Sequence, residues 1–95
     1  MNVLAKKTLL QFTAQYPEAH VALLAWFDLA SKSEFTSFAE VRAVFTTASW
    51  IGPEYIVFNI KGNHFRLITT VDFTFRKIRV KEFMRHSDYD HWKPQ

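Results

Sequence analysis

The chain has 95 residues, 48% hydrophobic and 17% aromatic, with ten Phe and three Trp, enough for a packed core and too much for a disordered chain. It has no cysteine, which excludes disulfide frameworks and thiolate chemistry, and no run near the roughly 20 apolar residues of a membrane span. The net charge of +3 is unevenly spread: residues 61–95 carry eight Lys and Arg against four acids, whereas residues 1–60 carry four against five. A basic C-terminal half points to a phosphate-rich partner. The opening MNVLAKKTLLQF lacks the apolar core of a secretory signal, so the expected location is cytoplasmic. Residues 1–95 read as one domain, with no repeat, linker or low-complexity stretch.

Val3 and Leu4 can begin a short strand. From Lys6, Leu9, Phe12 and Tyr16 recur at helical spacing, and Pro17 ends that run. Pro17 also suits the first turn of a second helix, with Glu18 near its positive end. That helix, Val21 to Ala30, is apolar on nearly every side. One face is expected on a sheet and the other against another chain. Ser37 with Glu40 three residues later fits a capping box, which predicts a third helix to about Phe45. Thr46–Ser49 reads as a loop, and Gly52-Pro53 as the turn that opens the strand half. Helices followed by three consecutive strands imply an α+β fold with an antiparallel sheet.

Gly62-Asn63 between two alternating runs predicts a two-residue type II′ hairpin. The register then sets Lys61 opposite His64, Ile60 opposite Phe65, Asn59 opposite Arg66, Phe58 opposite Leu67 and Val57 opposite Ile68. Strand alternation puts Ile60, Phe65, Phe58 and Leu67 on a core face. Lys61, His64, Asn59 and Arg66 gather on the other, with Val57 and Ile68 deeper. A third strand, Lys77 to Arg85, is read with Lys77, Arg79, Lys81 and Arg85 on one side and Ile78, Val80 and Met84 on the other. Glu82 falls on the apolar side, where an unpaired carboxylate is costly. A basic neighbour or an exposed strand end is expected there.

The chemistry-bearing side chains cluster late in the chain. Arg66 has the planar fork that holds a phosphate through two hydrogen bonds, although a mid-strand arginine is as readily solvated or ion-paired. Asn63 is first of all a turn former. Lys61 and His64 flank the turn, where a cation is often incidental. His86, at the strand end, has the near-neutral titration of a general acid or base. The Tyr89 phenol can pass a proton or simply pack its ring. His86, Asp88, Asp90 and His91 suggest a metal cluster, but their spacing matches no standard site, and none is expected. There is no glycine-rich phosphate loop, GxSxG or CxxC motif. A base, an acid and fixed positive charge are what metal-free RNA cleavage by the 2′-OH requires.

The run NIKGNHFRLI, followed some twenty residues on by RHSDYD, resembles the HigB-type toxins of bacterial toxin–antitoxin pairs, within the wider RelE-like group. The likeness extends through KKTLLQF, the tryptophan-phenylalanine helix, FTSFAEVRAVF and TASWIG. It implies two to three helices on a small, curved antiparallel sheet. It also implies cofactor-free cutting of mRNA on the translating ribosome, and a cognate HigA-type antitoxin. By the same likeness Arg66 is a transition-state stabiliser, and His86 and Tyr89 form an H-x-x-Y pair with His86 as the general acid or base. Lys61, Asn63, His64, Lys81 and Arg85 are RNA-contact candidates. Lys81 stands where relatives often carry arginine, and Arg85 where they carry a small hydroxyl residue. The alternative reading is a non-catalytic module that binds RNA, the ribosome or an antitoxin.

Overall fold

The computed structural model describes residues 1–4 and 6–94. Strand β1 spans Asn2–Leu4, helix α1 Lys6–Gln15 and helix α2 His20–Lys32, with a 3-10 turn over Pro17–Ala19 between the helices. Helix α3 spans Phe38–Val44, and strands β2 to β5 span Ser49–Ile51, Tyr55–Ile60, Phe65–Asp72 and Lys77–Arg85. A one-turn helix, α4, covers His86–Tyr89. The fold is α+β, as expected, and its sheet has the order β1-β5-β4-β3-β2.

Two features depart from the expected antiparallel sheet of three strands. β1 returns to the edge of β5 and pairs with it in parallel, Val3 opposite Ile78, so the sheet is mixed. The stretch expected as a loop at Thr46–Ser49 ends in a strand: Ser49 to Ile51 pair with Val57 to Tyr55 as the other edge. Only tertiary contact makes these three-residue segments strands, because their own sequences are too short to show a period. Both edges are short, which limits edge-to-edge association.

The helices end where their side chains require. Ser37 caps α3, its Oγ accepting from Glu40 N at 3.3 Å, and Glu40 Oε1 accepts from Thr36 N and Oγ1 at 2.7 and 2.8 Å. This is the anticipated capping box, with the return bond one residue earlier. α2 buries Leu23, Trp26 and Ala30 and leaves Val21 and Leu29 exposed.

The helices cover one face of the sheet. There Phe58 packs on Trp26 and Phe45, with ring centroids 5.2 and 5.0 Å away. Phe65 and Phe83 stack at 5.0 Å, flanked by Phe12 and Tyr16. Each fully buried ring contributes about 1.5–3 kcal/mol of transfer free energy. The one buried threonine of the central strand, Thr69, donates to Ile56 O at 2.8 Å and so carries no desolvation penalty.

The β3–β4 register agrees with the sequence reading from Ile60 opposite Phe65 down to Val57 opposite Ile68. Lys61 and His64 are not ladder partners. Lys61 itself turns left-handed (φ 56°) ahead of Gly62 (φ 64°), and His64 N donates to Lys61 O at 3.2 Å. The loop therefore takes four residues.

β5 is where the sequence reading fails. Ile68 pairs with Glu82 and Thr69 with Val80, so Lys81 is the extra residue of a β-bulge. A bulge shifts the alternation by one. Beyond it Phe83 and Arg85 point to the helices, and Glu82 and Met84 join Arg66 on the outer face. Phe83 stood in the middle of the supposed basic side, and that misfit was the signal of a bulge. The bulge's place, not its side chain, matters for folding. Lys81→Ala should change unfolding free energy by no more than about 0.5 kcal/mol in urea titration. Deleting Lys81 should cost more than about 3 kcal/mol, because one end of β5 must then turn its apolar set out of the core.

Candidate active site

The outer face of the sheet gathers Asn63 and Tyr89 around Arg66. This arginine is paired across the ladder with Asn59 on one side and Met84 on the other. It is only 8% exposed. Its Nη1 donates to Asn63 O at 3.3 Å and Phe65 O at 3.1 Å, and its Nη2 donates to Asn63 Oδ1. Asn63 is thus more than a turn former: it grips the Nη1–Nη2 end of the guanidinium from two sides. Among the described residues nothing is bonded to Nε, and the Nε–Nη2 edge of an arginine is the one that can hold an oxyanion through two parallel bonds. A guanidinium already fixed in this way loses little freedom when an anion arrives.

Tyr89 closes over Arg66, its ring centroid 5.7 Å from the guanidinium carbon. Arg85 ends β5 opposite Phe65, so α4 begins directly beside the hairpin loop. His86 N donates to His64 O at 2.9 Å, which fastens the start of α4 to that loop. The His86 imidazole has Nδ1 buried with no hydrogen-bond partner. Nε2 is therefore the nitrogen that can meet a substrate. Burial pushes the Tyr89 phenol up from its ordinary range, and the nearby Arg66 charge opposes that rise without cancelling it. Tyr89 stays a neutral O–H donor through neutral pH.

Two side chains not singled out by sequence, Trp92 and Tyr55, support this arrangement together with Glu82. Trp92 stacks on Tyr89 at 5.7 Å, meets Tyr55 edge-on at 5.4 Å, and donates from Nε1 to Glu82 Oε2 at 2.8 Å. Glu82, expected on the apolar side beside a basic residue or at an exposed strand end, is exposed on the outer face and is the acceptor that holds this indole. Trp92 follows Tyr89 by three residues, a helical spacing that places both rings on one side. The sequence carried that signal. Val57 and Ile68 lie on the same outer face and are nonetheless buried, and α4 packs back against β4 and β5.

The other candidates scatter. Lys61 sits on the exposed loop and also lines a small apolar groove with Trp26 and Leu29 of α2. Lys81, at the bulge, lies farther along the outer face beside Tyr55, Glu82 and Trp92. Arg85 was expected on the same side of β5 as Lys77, Arg79 and Lys81 and is on the opposite face. Its guanidinium pairs with Glu18 at 2.8 Å and lies over the rings of Tyr16 and Phe65 at 5.1 and 5.4 Å. The bulge accounts for this reversal. Among the described residues no three His, Asp or Glu side chains gather as a metal-binding group.

The Tyr89 shift has a consequence for alkaline solution. The folded state holds the phenol above its unfolded value of about 10, so the associated stability is complete below that pH and is lost as pH rises through the folded value. Titration of phenolate absorbance should find one tyrosine that ionises above about pH 10 and is missing from Tyr89→Phe.

Comparison with known proteins places the chain in a family. The chain is 29% identical over 93 residues to the mRNA interferase toxin HigB of Escherichia coli (strain K12), covering 95% of this chain and 88% of the relative. It is 23% identical over 92 residues to the mRNA interferase HigB of Escherichia coli O6:H1, covering 95% of this chain and 89% of that one. The HigB toxin family model, a RelE-like toxic component of a toxin–antitoxin system, matches residues 19–92. The match spans α2 to Trp92 and takes in both the gripped arginine and the helical turn over it. The chain belongs to the HigB family of RelE-like toxins.

Proposed function

We propose that this chain is an mRNA interferase, cutting mRNA on the translating ribosome in the cytoplasm, with a HigA-type antitoxin holding it in check. Membership of a toxin–antitoxin family supports an antitoxin partner, and the relatives' activity supports the substrate. The observation that carries the reading is the grip of Asn63 on Arg66 beneath Tyr89, with His86 anchored alongside.

The reaction follows from these groups. The 2′-OH attacks the adjacent phosphorus, a base takes its proton, and a five-coordinate phosphorane forms with extra negative charge on its non-bridging oxygens. The free Nε–Nη2 edge of Arg66 receives that charge, with the neutral Tyr89 phenol as a second donor. The 5′ oxygen leaves with a proton, giving a 2′,3′-cyclic phosphate and a 5′-OH end. His86 moves protons through Nε2. Lys61, Asn63 and His64 hold RNA at the loop, and Lys81 holds it along the face. Arg85 reaches RNA only from the helix side, and its bond to Glu18 supports a role in fixing the strand end that delivers His86.

Expression in cells, with mapping of new mRNA 5′ ends, tests the reading. Cuts should fall within translated frames for the wild type and vanish in His86→Gln. Arg66→Ala should lower cutting by about 10²–10³ while the protein stays folded. Arg66→Lys should recover little, since an ammonium cannot offer two parallel bonds. Identical ends in wild type and all three variants would leave the chain a binder of RNA or antitoxin rather than a nuclease.

A further inference from the structure

The outer face does not stop at the candidate active site. We propose that its far end, around Lys77, Arg79 and Phe75, is a second subsite for unpaired RNA, holding the backbone of the strand that leaves Arg66; this rests on the reading that the face acts on RNA.

The sheet register places it. Arg66, Thr70 and Asp72 lie on the same face of β4 because strand side chains alternate. Arg79 pairs with Thr70 and Lys77 with Asp72. Thr70 is four residues beyond Arg66, about 13 Å along the strand, and Asp72 about 20 Å. An open cavity of about 540 Å³ lies there, lined by Lys77, Arg79 and Lys81. A second, of about 260 Å³, runs beside Tyr55 and Trp92, and the two share Lys81 and Glu54. The two cavities adjoin at Lys81 and Glu54, with Trp92 on one side and Arg79 on the other.

Charge and exposure favour a phosphate chain. Among the described residues, Arg76 and Arg85 pair with Glu34 and Glu18, whereas Lys77, Arg79 and Lys81 pair with no acid. Two acids, Glu54 and Asp72, line the same cavity. The Asp72 carboxylate is engaged by Phe75 N at 3.0 Å, where it holds the β4–β5 turn. Three cations along one wall repel one another until an anion lies between them. At the tip of that turn the Phe75 ring is 70% exposed, with Lys77 Nζ 6.0 Å from its centroid. An exposed ring beside a cation is an arrangement that stacks a base while its phosphate is held.

The test uses full-length protein and 2′-O-methyl RNA, which cannot be cut because its nucleophile is blocked. Anisotropy titrations would compare labelled strands of about four and about twelve nucleotides. The wild type should bind the longer strand more tightly. Lys77→Glu with Arg79→Glu should weaken the longer strand about tenfold or more, lower its salt slope by about 0.7 per lost contact, and leave the shorter strand unchanged. Phe75→Ala should weaken the longer strand about fivefold. Equal affinities of variants and wild type for both strands would overturn the proposal, as would an equal loss for both or no binding of the longer strand. Unchanged RNA affinity with lost neutralisation by the antitoxin would assign the surface to protein recognition and overturn it too. Cutting is read separately, so a nuclease whose long-strand affinity ignores Lys77 and Arg79 keeps its activity and loses only this subsite.

Discussion

The stack of Phe83 on Phe65, 5.0 Å between centroids, decides which way the C-terminal half of β5 faces. Turning Phe83 into the core requires one residue too many for a regular ladder, and Lys81 is pushed out as a bulge. Every position after it is then reversed. Glu82 and Met84 come to the outer face, Arg85 goes to the helix side, and the chain leaves the sheet next to the hairpin loop. The burial of one ring thus sets the start point of α4, and with it the place of His86 and Tyr89. Loss of the ring would cost more than its own transfer free energy, since the site's geometry hangs on the register it selects.

The two faces of the sheet serve different ends. The helix side is a close-packed aromatic core that makes the β3–β4 hairpin rigid. The outer side carries polar groups held by one another: Asn63 on Arg66, Tyr89 over Arg66, Trp92 on Tyr89, Glu82 on Trp92. Such a chain of contacts fixes donors before any substrate arrives, and fixed donors are what a developing phosphorane charge rewards most. In the proposed cleavage, a cation held in place beside a phenol kept neutral by burial meets the developing charge, and His86 moves the protons.

Much of this was legible in the sequence because the relevant interactions are local. Ser37 and Glu40 announce α3, and Gly62-Asn63 between alternating runs gives the hairpin and its register from Ile60–Phe65 onward. Arg66, His86 and Tyr89 stand out by chemistry and by resemblance to the HigB family. What failed was the extrapolation of period two through Lys81, because a bulge has no local signature apart from a phenylalanine on the wrong side. β1 and β2 were only partly visible, since a three-residue strand is defined by its neighbour and not by its own pattern.

The sequence by itself determined the fold class and the hairpin register, because capping, turn chemistry and strand alternation act over a few residues, and it singled out the candidate side chains by their chemistry. The tertiary structure decided which face each cation occupies, which groups hold Arg66 and Tyr89 in place, and where β1 joins the sheet. Those depend on the competition between one buried aromatic ring and a regular ladder, and on contacts between residues far apart in the chain. No short window of sequence contains both sides of that competition.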